Sequence, residues 1–383
     1  MRAFFVEKDG LMGMSASVKF DEYGPERVFE VYNPKTGLHG FAVLDNLALG
    51  VAKGGIRMTP TVSVVEVSRL ARAMTWKNSM ADLPFGGGKA GIIADPKNIS
   101  LEKKRALIEE FSRALKPVIP SLYVAGPDIN TTEVEMGWFA KANGDLKACT
   151  GKPKELGGIP HELGSTGFGV YHSTLVAAEW LGWGVAGKTF AVEGFGNVGW
   201  FVSRFLTEKG AKFVAVSDSG GVLHNAQGIN FQKLAEVKKN QKTVTAYGEG
   251  SQVLKGKDDI LGIEADILIT AAVPDLITKE NWQKIKAKLI VQGSNIPTTP
   301  AIEKELHKKG VLVIPDFVAN AGGVISSWVE YKGGTPEEMF KVVEEKVKRN
   351  TKAVLEKTTL GKGRIPREIA VGIARQRVLE KMK

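Results

Sequence analysis

The stretch AVEGFGNVGWFVSRFLTEKGAKFVAVSD, residues 191–218, contains a glycine motif between two apolar segments. The residues before Gly194 predict a buried strand, and those after Gly199 have the apolar spacing of an amphipathic helix. A GxGxxG pattern at such a turn lets a pyrophosphate approach the backbone, and the free N–H groups that begin the helix would face its phosphates. We therefore predict a dinucleotide-binding βαβ unit. Its cofactor-binding loop would consist of Gly194, Phe195, Gly196, Asn197, Val198 and Gly199.

Asp218 ends the second apolar segment and could accept hydrogen bonds from the ribose hydroxyls of NAD. The sequence SGG that follows it leaves room and provides no second acid. An acid that points elsewhere would tolerate the 2′-phosphate of NADP. The predicted cofactor is therefore NAD or NADP, and the sequence leaves the choice between them open.

Five short, almost wholly apolar segments follow residue 187 and alternate with helical stretches: TFAVEG, KFVAVSD, DILITAA, KLIVQGS and VLVIPD. Uninterrupted apolar strands are buried on both faces, which predicts a parallel sheet covered by helices. Thr299, Pro300 and Gly310 have the residue types that begin and end a helix. Residues 335–357 predict a long amphipathic helix that runs back toward the first half of the chain.

The composition is that of a globular protein large enough for two domains, with 383 residues, 43% of them hydrophobic and 25% charged. Without a run of membrane-spanning length or a signal-peptide core in MRAFFVEKDG, we predict a cytoplasmic protein. One cysteine and five scattered histidines predict no disulfide and no metal site. The net charge of +10 lies on acid-interleaved helical segments, so it does not favour nucleic-acid binding.

The first half of the chain alternates β-rich segments with helices, and the apolar spacing predicts helices over 64–82 and 101–116. Thr132 and Glu135 have the spacing of a capping box, so a helix should begin there. Asp128 would then lie in a strand-to-helix loop, where functional side chains are often displayed.

The segment LPFGGGKAGII, residues 83–93, has the outline of a phosphate-binding loop but not its pattern. Leu83 stands where the template has glycine, and Ala90, which follows Lys89, cannot ligate magnesium. We therefore interpret the glycines as space for a substrate that approaches Lys89.

Lys53, beside the Gly54–Gly55 pair, and Lys77, on a helix among apolar residues, are two further lysines in unusual surroundings. A buried lysine is costly unless an anion meets it, although each could instead reach solvent or pair with a structural carboxylate. Clustered ammonium groups depress one another's pKa, which permits acid–base chemistry near neutral pH. Together with Lys89 and Asp128, these lysines suit the oxidation of an amino acid.

The motifs resemble those of the glutamate, leucine, phenylalanine and valine dehydrogenase superfamily, in order and in spacing, over roughly residues 20–380. They are KGGIR, TWKN, PFGGGKAG, GPDIN, STGFG, GFGNVG, GSNIPTT and NAGGVISS. The chain departs from the family pattern at 161–165, where HELGS replaces an Arg-Pro-Glu-Ala run, and at Glu193, where glutamine is common.

The resemblance implies that Lys77 binds the substrate α-carboxylate and that Lys89 is the catalytic lysine, which polarises the carbonyl or imine and activates water. Asp128 would move a proton to and from the substrate amine. Thr166, Asn197 and Asn320 match positions that orient the nicotinamide, and Asn295 belongs with the implied cofactor-binding residues.

Two positions distinguish substrates within the family, and here they are Lys53 and Ser327. Both contact a γ-carboxylate in the glutamate enzymes and are apolar in the leucine-type enzymes, so the resemblance implies L-glutamate, with Gly54 beside Lys53 in the substrate site. Ser326 could replace Ser327 if the turn shifts by one residue. The alternatives are a leucine-, phenylalanine- or valine-type dehydrogenase, and a catalytically silent subunit that senses nucleotides.

The expected fold class is α/β, with a cleft between an N-terminal α/β substrate-binding and oligomerisation domain and a Rossmann-type NAD(P)-binding domain. We predict that residues 1–160 and 350–383 form the first domain and that 161–349 form the second. The implied partners are an amino acid or 2-oxo acid and ammonia, with neither nucleic acid nor membrane. A homo-oligomer is expected, with a hexamer as the first hypothesis.

Overall fold

The computed structural model describes residues 17–256 and 258–383. The start of the predicted first domain, including the segment without a signal-peptide core, lies outside these residues. The described chain forms two β-sheets, each covered by helices. None of the helices in this part of the chain has the length and apolar character needed to cross a membrane.

The first sheet has the strand order β1-β2-β5-β3-β6, and β4 pairs with β5. Its strands are β1 (Arg27–Asn33), β2 (Leu38–Asn46), β3 (Ala52–Lys53), β4 (Ile56–Thr59), β5 (Gly86–Ile93) and β6 (Tyr123–Val124). The helices of this half are α1 (Val64–Met80), α2 (Leu101–Ala114) and α3 (Glu133–Asn143). The predicted helices over 64–82 and 101–116 are thereby confirmed. So is the capping box, in which Thr132 and Glu135 bond each other's backbone at the start of α3.

The segment with three glycines is not a loop, because Gly86–Ile93 forms the strand β5 inside the first sheet. A Cβ on Gly87 would lie 2.0 Å from Thr75 Oγ1, and one on Gly86 would lie 2.0 Å from the carbonyl oxygen of Asn46. A Cβ on Gly54 would lie 1.6 Å from the carbonyl oxygen of Gly88. The expectation that these glycines leave space for a substrate is therefore wrong. They allow β5 to pack against α1 and against the neighbouring segment.

The second sheet has the order β10-β9-β8-β7-β11-β12-β13. Its strands from β8 to β13 in that order are parallel, as predicted, whereas β9 and β10 form an antiparallel edge that the apolar pattern did not indicate. These strands are β7 (Thr189–Glu193), β8 (Lys212–Asp218), β9 (Gly221–His224), β10 (Gln252–Leu254), β11 (Ile267–Thr270), β12 (Leu289–Gln292) and β13 (Leu312–Ile314).

The helices of the second half are α4 (Ser165–Trp180), α5 (Asn197–Glu208), α6 (Phe231–Gln241), α7 (Pro300–Lys308), α8 (Asp316–Ala319), α9 (Gly322–Tyr331), α10 (Pro336–Leu355) and α11 (Pro366–Met382). The predicted N-cap Thr299 is confirmed, since its side chain accepts a hydrogen bond from the N–H of Ile302. The strands β8 and β11 lie on opposite sides of β7, so the order in which strands are added to the sheet reverses at β7. Such a switch point is where open parallel sheets bind ligands.

Helix α11 joins the two halves. On one side Ala374 accepts a hydrogen bond from Ser79 Oγ of α1 (2.7 Å), and Arg377 donates to the carbonyl oxygens of Ser79 and Met80. At its other end Arg367 pairs with Glu303 of α7 (2.8 Å). Since α11 contacts both halves, the assignment of 350–383 to the first domain stays a prediction.

Candidate active site

A cleft of about 700 Å³ lies between the two halves. The first half contributes the strand ends of its sheet and the helix α1, and the second half contributes the starts of α4 and α9. Among the predicted site residues, the cleft is lined by Lys53, Gly54, Lys77, Lys89, Asp128, Thr166, Val198, Asn295, Asn320 and Ser327. The fold therefore brings the five predicted substrate and catalytic side chains, those of Lys53, Lys77, Lys89, Asp128 and Ser327, together with residues of the predicted nicotinamide end.

Lys89 and Asp128 form an ion pair within this cleft, with 3.1 Å between Lys89 Nζ and Asp128 Oδ2. Lys89 projects from β5, and Asp128 lies in a turn closed by the hydroxyl of Thr131, which accepts from the Asp128 N–H. Burial lowers the pKa of Lys89, although Asp128 opposes that shift. A lysine with a lowered pKa in contact with a carboxylate in a cleft is typical of a functional site.

Arg57 also holds Asp128, since its Nε donates to Asp128 Oδ2 at 3.0 Å. The other end of the guanidinium donates to Glu66 (2.6 Å). Burial alone would raise the pKa of Asp128, but the adjacent charges of Lys89 and Arg57 outweigh it and hold the pKa below its usual value. Arg57 is a positioning group that the sequence analysis missed, although the KGGIR motif contained it.

Lys77 projects into the cleft from α1 and has no hydrogen-bonded partner for its ammonium among the described residues. Burial lowers its pKa to about 8, with a smaller contribution from Lys89, while Asp316 opposes the shift. An ammonium in such surroundings favours an incoming carboxylate. Lys77 is therefore suited to bind one.

Lys53 lies at the end of β3, between β5 and β6, and its ammonium donates to the carbonyl oxygen of Ala125 (2.8 Å). Burial lowers its pKa to about 8. No carboxylate pairs with Lys53 within the described chain. A Cβ built on Gly126 would lie 2.5 Å from Lys53 Nζ and 3.8 Å from Thr150 Oγ1, so the lysine and this threonine lie close together. Thr150 Oγ1 is buried and has no partner within the described chain.

Glu330 balances part of this positive charge. Its carboxylate accepts hydrogen bonds from Lys152 Nζ (2.5 Å) and from the N–H groups of Gly151 (2.9 Å) and Ile159 (3.1 Å). Thr150, Lys152 and Glu330 were not predicted from the sequence. A parallel bridge between Ala125 and Cys149 brings the loop that carries Thr150 and Lys152 to Lys53. No spacing in the sequence indicates that bridge.

Helix α9 carries Ser326 and Ser327 to the cleft, and both line it. A Cβ on Gly322 would lie 2.0 Å from the carbonyl oxygen of Ser165, so the glycines that begin α9 let it pack against the start of α4. The predicted preference for Ser327 over Ser326 stays a prediction.

The glycine loop after β7 has the shape that a dinucleotide requires. Gly194 has φ +91°, and a Cβ on Gly199 would lie 1.9 Å from the carbonyl oxygen of Gly194. A Cβ on Gly196, by contrast, would meet nothing within 4 Å, so the backbone there is open to a ligand. Gly196 caps α5 without a side-chain hydrogen bond, which leaves N–H groups at the helix start for a phosphate. Phe195 turns its side chain into the core, so only its backbone is available to a cofactor.

Two amide side chains that are predicted to orient the nicotinamide carry unpaired acceptors. The Oδ1 atoms of Asn197 and Asn320 are buried and lack hydrogen-bond donors within the described residues. The Nδ2 group of Asn320 donates to the carbonyl oxygen of Gly293 (3.2 Å) and to Asn295 Oδ1 (3.0 Å), which fixes its orientation. Buried acceptors without donors are costly, so these groups fit a carboxamide donor supplied by a ligand.

Asp218 lies at the end of β8, as predicted, but its carboxylate points into the protein. It accepts hydrogen bonds from Lys238 Nζ (2.5 Å), from the N–H of Val244 (2.8 Å) and from the N–H of Gly220 (2.8 Å). The direct contact with ribose hydroxyls that the sequence suggested is therefore not what this geometry provides.

A glycine-loop nucleotide fold that shares its cleft with buried lysines is the arrangement of a dinucleotide-dependent dehydrogenase. Residues 157–383 match the Glutamate/Leucine/Phenylalanine/Valine dehydrogenase family, and residues 25–144 match the Glu/Leu/Phe/Val dehydrogenase dimerisation domain. The chain therefore belongs to the Glu/Leu/Phe/Val dehydrogenase family. The predicted resemblance and fold class are confirmed.

Relatives with known names span nearly the whole chain. The glutamate dehydrogenase of Aeropyrum pernix is 41% identical, over 95% of this chain and 94% of its own length. The NADP-specific glutamate dehydrogenase of Saccharolobus shibatae is 39% identical, over 94% and 89%. Among solved structures, the Leu-bound hetero-hexameric glutamate dehydrogenase of Thermus thermophilus superposes with a TM-score of 0.82 at 28% identity, over 93% of this chain and 89% of that one.

Proposed function

We propose that the protein converts L-glutamate, water and NAD⁺ or NADP⁺ to 2-oxoglutarate, ammonium, the reduced cofactor and a proton, and that it catalyses the reverse reductive amination. The observation that carries this proposal is a pair of ammonium groups in one cleft, the buried Lys53 and the partly buried Lys77, neither of which pairs with a carboxylate within the described chain. Lys89 is close enough to both for its charge to lower the pKa of each. A substrate with two carboxylates can satisfy both lysines and present its amine to Lys89 and Asp128.

In this mechanism Lys77 binds the α-carboxylate. Lys53, with the hydroxyls of Thr150 and Ser327, binds the side-chain carboxylate. The two contacts fix the substrate at both ends, so its Cα–H has one orientation in the cleft. When bound, NAD or NADP supplies the acceptor for the hydride that leaves Cα. Asn197, Asn320 and Thr166 would hold its nicotinamide end.

Asp128 accepts the proton that the substrate ammonium must lose before oxidation, since its lowered pKa keeps it ionised near neutral pH. Loss of the hydride from Cα leaves an imine, and water then attacks the imine carbon. Lys89 directs that step, because burial lowers its pKa and so makes it easier for the ammonium to give up a proton and take one back as water adds and the amine departs. Ammonia and the 2-oxo acid are then released.

The test of the function is turnover with L-glutamate and with L-leucine, each with NAD and with NADP. We expect glutamate to be preferred at least 100-fold in kcat/KM, because leucine would leave the Lys53 ammonium buried against methyl groups. Leucine turnover equal to that of glutamate would instead indicate the branched-chain alternative. Absence of turnover with any amino acid would favour the silent nucleotide-sensing subunit.

The catalytic assignment is tested by Lys89→Ala. We expect kcat to fall by roughly 10²–10⁴-fold, the usual contribution of a positioned acid–base group, while cofactor binding measured by fluorescence titration is retained. Activity close to that of the parent protein would refute the role of Lys89.

We further infer a cytoplasmic homo-oligomer, with a hexamer as the first expectation. In support, the match over residues 25–144 is to a dimerisation domain, and the Thermus relative is hetero-hexameric. The edge strand β1 exposes Val28 and Tyr32, an apolar surface of the kind that subunit contacts cover. Light scattering coupled to size-exclusion chromatography measures the assembly, and a monomeric mass would contradict this inference.

A further inference from the structure

The carboxylate of Asp218 is fully engaged by the protein itself. Its Oδ1 accepts from the N–H of Gly220 (2.8 Å) and from Thr243 Oγ1 (3.2 Å). Its Oδ2 accepts from Lys238 Nζ (2.5 Å) and from the N–H of Val244 (2.8 Å). A carboxylate oxygen offers about two acceptor positions, so four donors occupy both oxygens. The side chain is 6% exposed.

A ribose diol that used Asp218 as its acceptor would have to displace two of these donors. One is charged, and two are backbone N–H groups that cannot turn away without moving the chain. Hydrogen bonds to ionised groups are the stronger class, so this exchange is unfavourable. Asp218 therefore does not act as the ribose-binding acid that an NAD-selective fold of this type uses.

The groups that Asp218 holds are basic. Lys238, in the last turn of α6, uses two of its three N–H groups, one on Asp218 and one on the carbonyl oxygen of Lys242 (2.9 Å). Its third N–H has no acceptor among the residues that the structure describes. Lys239 and Lys242 follow on the same segment, where neither forms a salt bridge within the described chain, and Glu236 is the nearest acid on α6. This end of α6 therefore carries net positive charge beside the end of β8.

We propose that this chain selects the 2′-phosphorylated dinucleotide, NADP, over NAD, with Asp218 as a positioning residue that holds Lys238 toward the 2′-phosphate. The exposed Ser219, directly after Asp218, supplies a hydroxyl at the same position. Gly220 lets this turn pack closely against Thr243, because a Cβ there would lie 2.4 Å from Thr243 Oγ1. The inference rests on the proposed function only in that a dinucleotide binds at the glycine loop.

Isothermal titration of the full-length protein with 2′,5′-ADP and with 5′-AMP tests this directly, because the two probes differ only in the 2′-phosphate and need no turnover. We expect 2′,5′-ADP to bind at least tenfold more tightly. Lys238→Gln should abolish most of that difference, and the control Lys209→Gln, at an exposed position at the C-terminal end of α5, should retain it. Equal binding of the two probes by the parent protein, or tighter binding of 5′-AMP, would overturn the proposal.

The variant Asp218→Asn distinguishes a positioning role of the acid from a ribose-binding role. A positioning role predicts weaker binding of 2′,5′-ADP with little change for 5′-AMP, since Lys238 loses its anchor. A ribose-binding role predicts weaker binding of 5′-AMP and tighter binding of 2′,5′-ADP, and that result would contradict the proposal. If Asp218→Asn does not fold, Lys238→Gln still decides. Absence of glutamate turnover would refute the proposed function and leave these binding results unaffected.

Discussion

At the scale of the residue, the site depends on ammonium groups that form no ion pair within the described chain. Burial lowers the pKa of Lys53 and of Lys77 to about 8, although Glu330 and Asp316 partly oppose these shifts. Burying an ammonium without a partner costs free energy of folding, and a bound dicarboxylate removes that cost. Part of the stability of the protein is therefore given up at these two positions in favour of substrate affinity.

Lys53→Met should exchange glutamate affinity for stability. Loss of a charge-assisted contact of roughly 2–4 kcal/mol lowers kcat/KM for glutamate by about 30- to 1000-fold, while the temperature of unfolding stays the same or rises. Steady-state kinetics and thermal unfolding measure the two effects. Lys154→Met, at an exposed position, is the control. A Lys53→Met protein with unchanged glutamate kinetics would contradict the assignment.

Some of these residues could be predicted from the sequence alone, and others could not. Lys53, Lys77, Lys89 and Asp128 were predictable because each lies in a motif with unusual neighbours. Thr150 and Glu330 were not, since only the bridge at Cys149 and the packing of α9 bring them to Lys53. Asp218 was placed correctly on its strand, but three of the donors that engage its carboxylate, on Lys238, Thr243 and Val244, lie 20 to 26 residues later in the sequence.

At the scale of the element, α1 packs closely against β5 because Gly87 of β5 has no side chain. Periodicity predicted the helix from the apolar spacing of residues 64–82, although the face that α1 buries also includes Ser68, Thr75 and Asn78. It did not predict that GGGKAGII is a strand, since glycine has low β propensity and the deciding factor is the approach of α1. The antiparallel strands β9 and β10 were missed because they are short and partly exposed at an edge.

The substitution Gly87→Ala should push α1 away from β5. The added methyl group would lie 2.0 Å from Thr75 Oγ1 and 2.4 Å from the Thr75 backbone nitrogen, so α1 must shift. We expect a loss of about 1–3 kcal/mol in the free energy of unfolding, as for other overpacked sites, together with a raised KM because Lys77 moves with the helix. Denaturant titration and kinetics measure both. Gly184→Ala is the control, since its Cβ meets nothing within 4 Å, and an equal effect there would contradict the explanation.

The contact between α4 and α10 contains a buried histidine that should make stability depend on pH. Both ring nitrogens of His172 lack hydrogen-bond partners within the described chain, and Phe168 packs edge-on at 4.3 Å. Burial lowers its pKa to about 4, although Glu344 opposes the shift at 3.8 Å and Lys348 adds to it.

Between pH 6.5 and about 4, His172 is therefore protonated in the unfolded chain and neutral in the folded chain. Stability is complete above pH 6.5 and is lost as the pH falls through this window, by about 2 kcal/mol at pH 5. His172→Phe should flatten the dependence, which denaturant unfolding at pH 7.5 and pH 5 measures. An unchanged slope in the variant would assign the dependence to other groups.

At the scale of the whole molecule, the two sheets are held around the cleft by α11 and its ion pairs. Arg367 joins Glu303 (2.8 Å) and Asp316 (2.9 Å) and donates to Gln292 (2.8 Å), so it connects α11 to α7, α8 and the end of β12. Asp316 begins the short helix that leads to Asn320 in the cleft. The nicotinamide end is therefore attached to the same helix that packs on α1.

Arg367→Met should destabilise the whole molecule. It leaves Glu303 and Asp316 buried without their cation, a change that typically costs 3–5 kcal/mol. We expect a lower unfolding midpoint and a weaker affinity for the cofactor, measured by denaturant titration and fluorescence. The exposed Arg364→Met is the control. A variant with parental stability would show that the network contributes nothing net.

The hydrogen bond between Ser79 and Ala374 joins residues 295 positions apart. At the usual pace of synthesis, about 5–20 residues per second, α1 waits roughly 15–60 seconds before the helix that covers it has been made. During that interval the part of α1 that α11 covers, which includes Trp76 and Met80, lacks its neighbour on the nascent chain. We therefore expect the first half of the chain to expose an apolar surface to chaperones, on the element that carries Lys77.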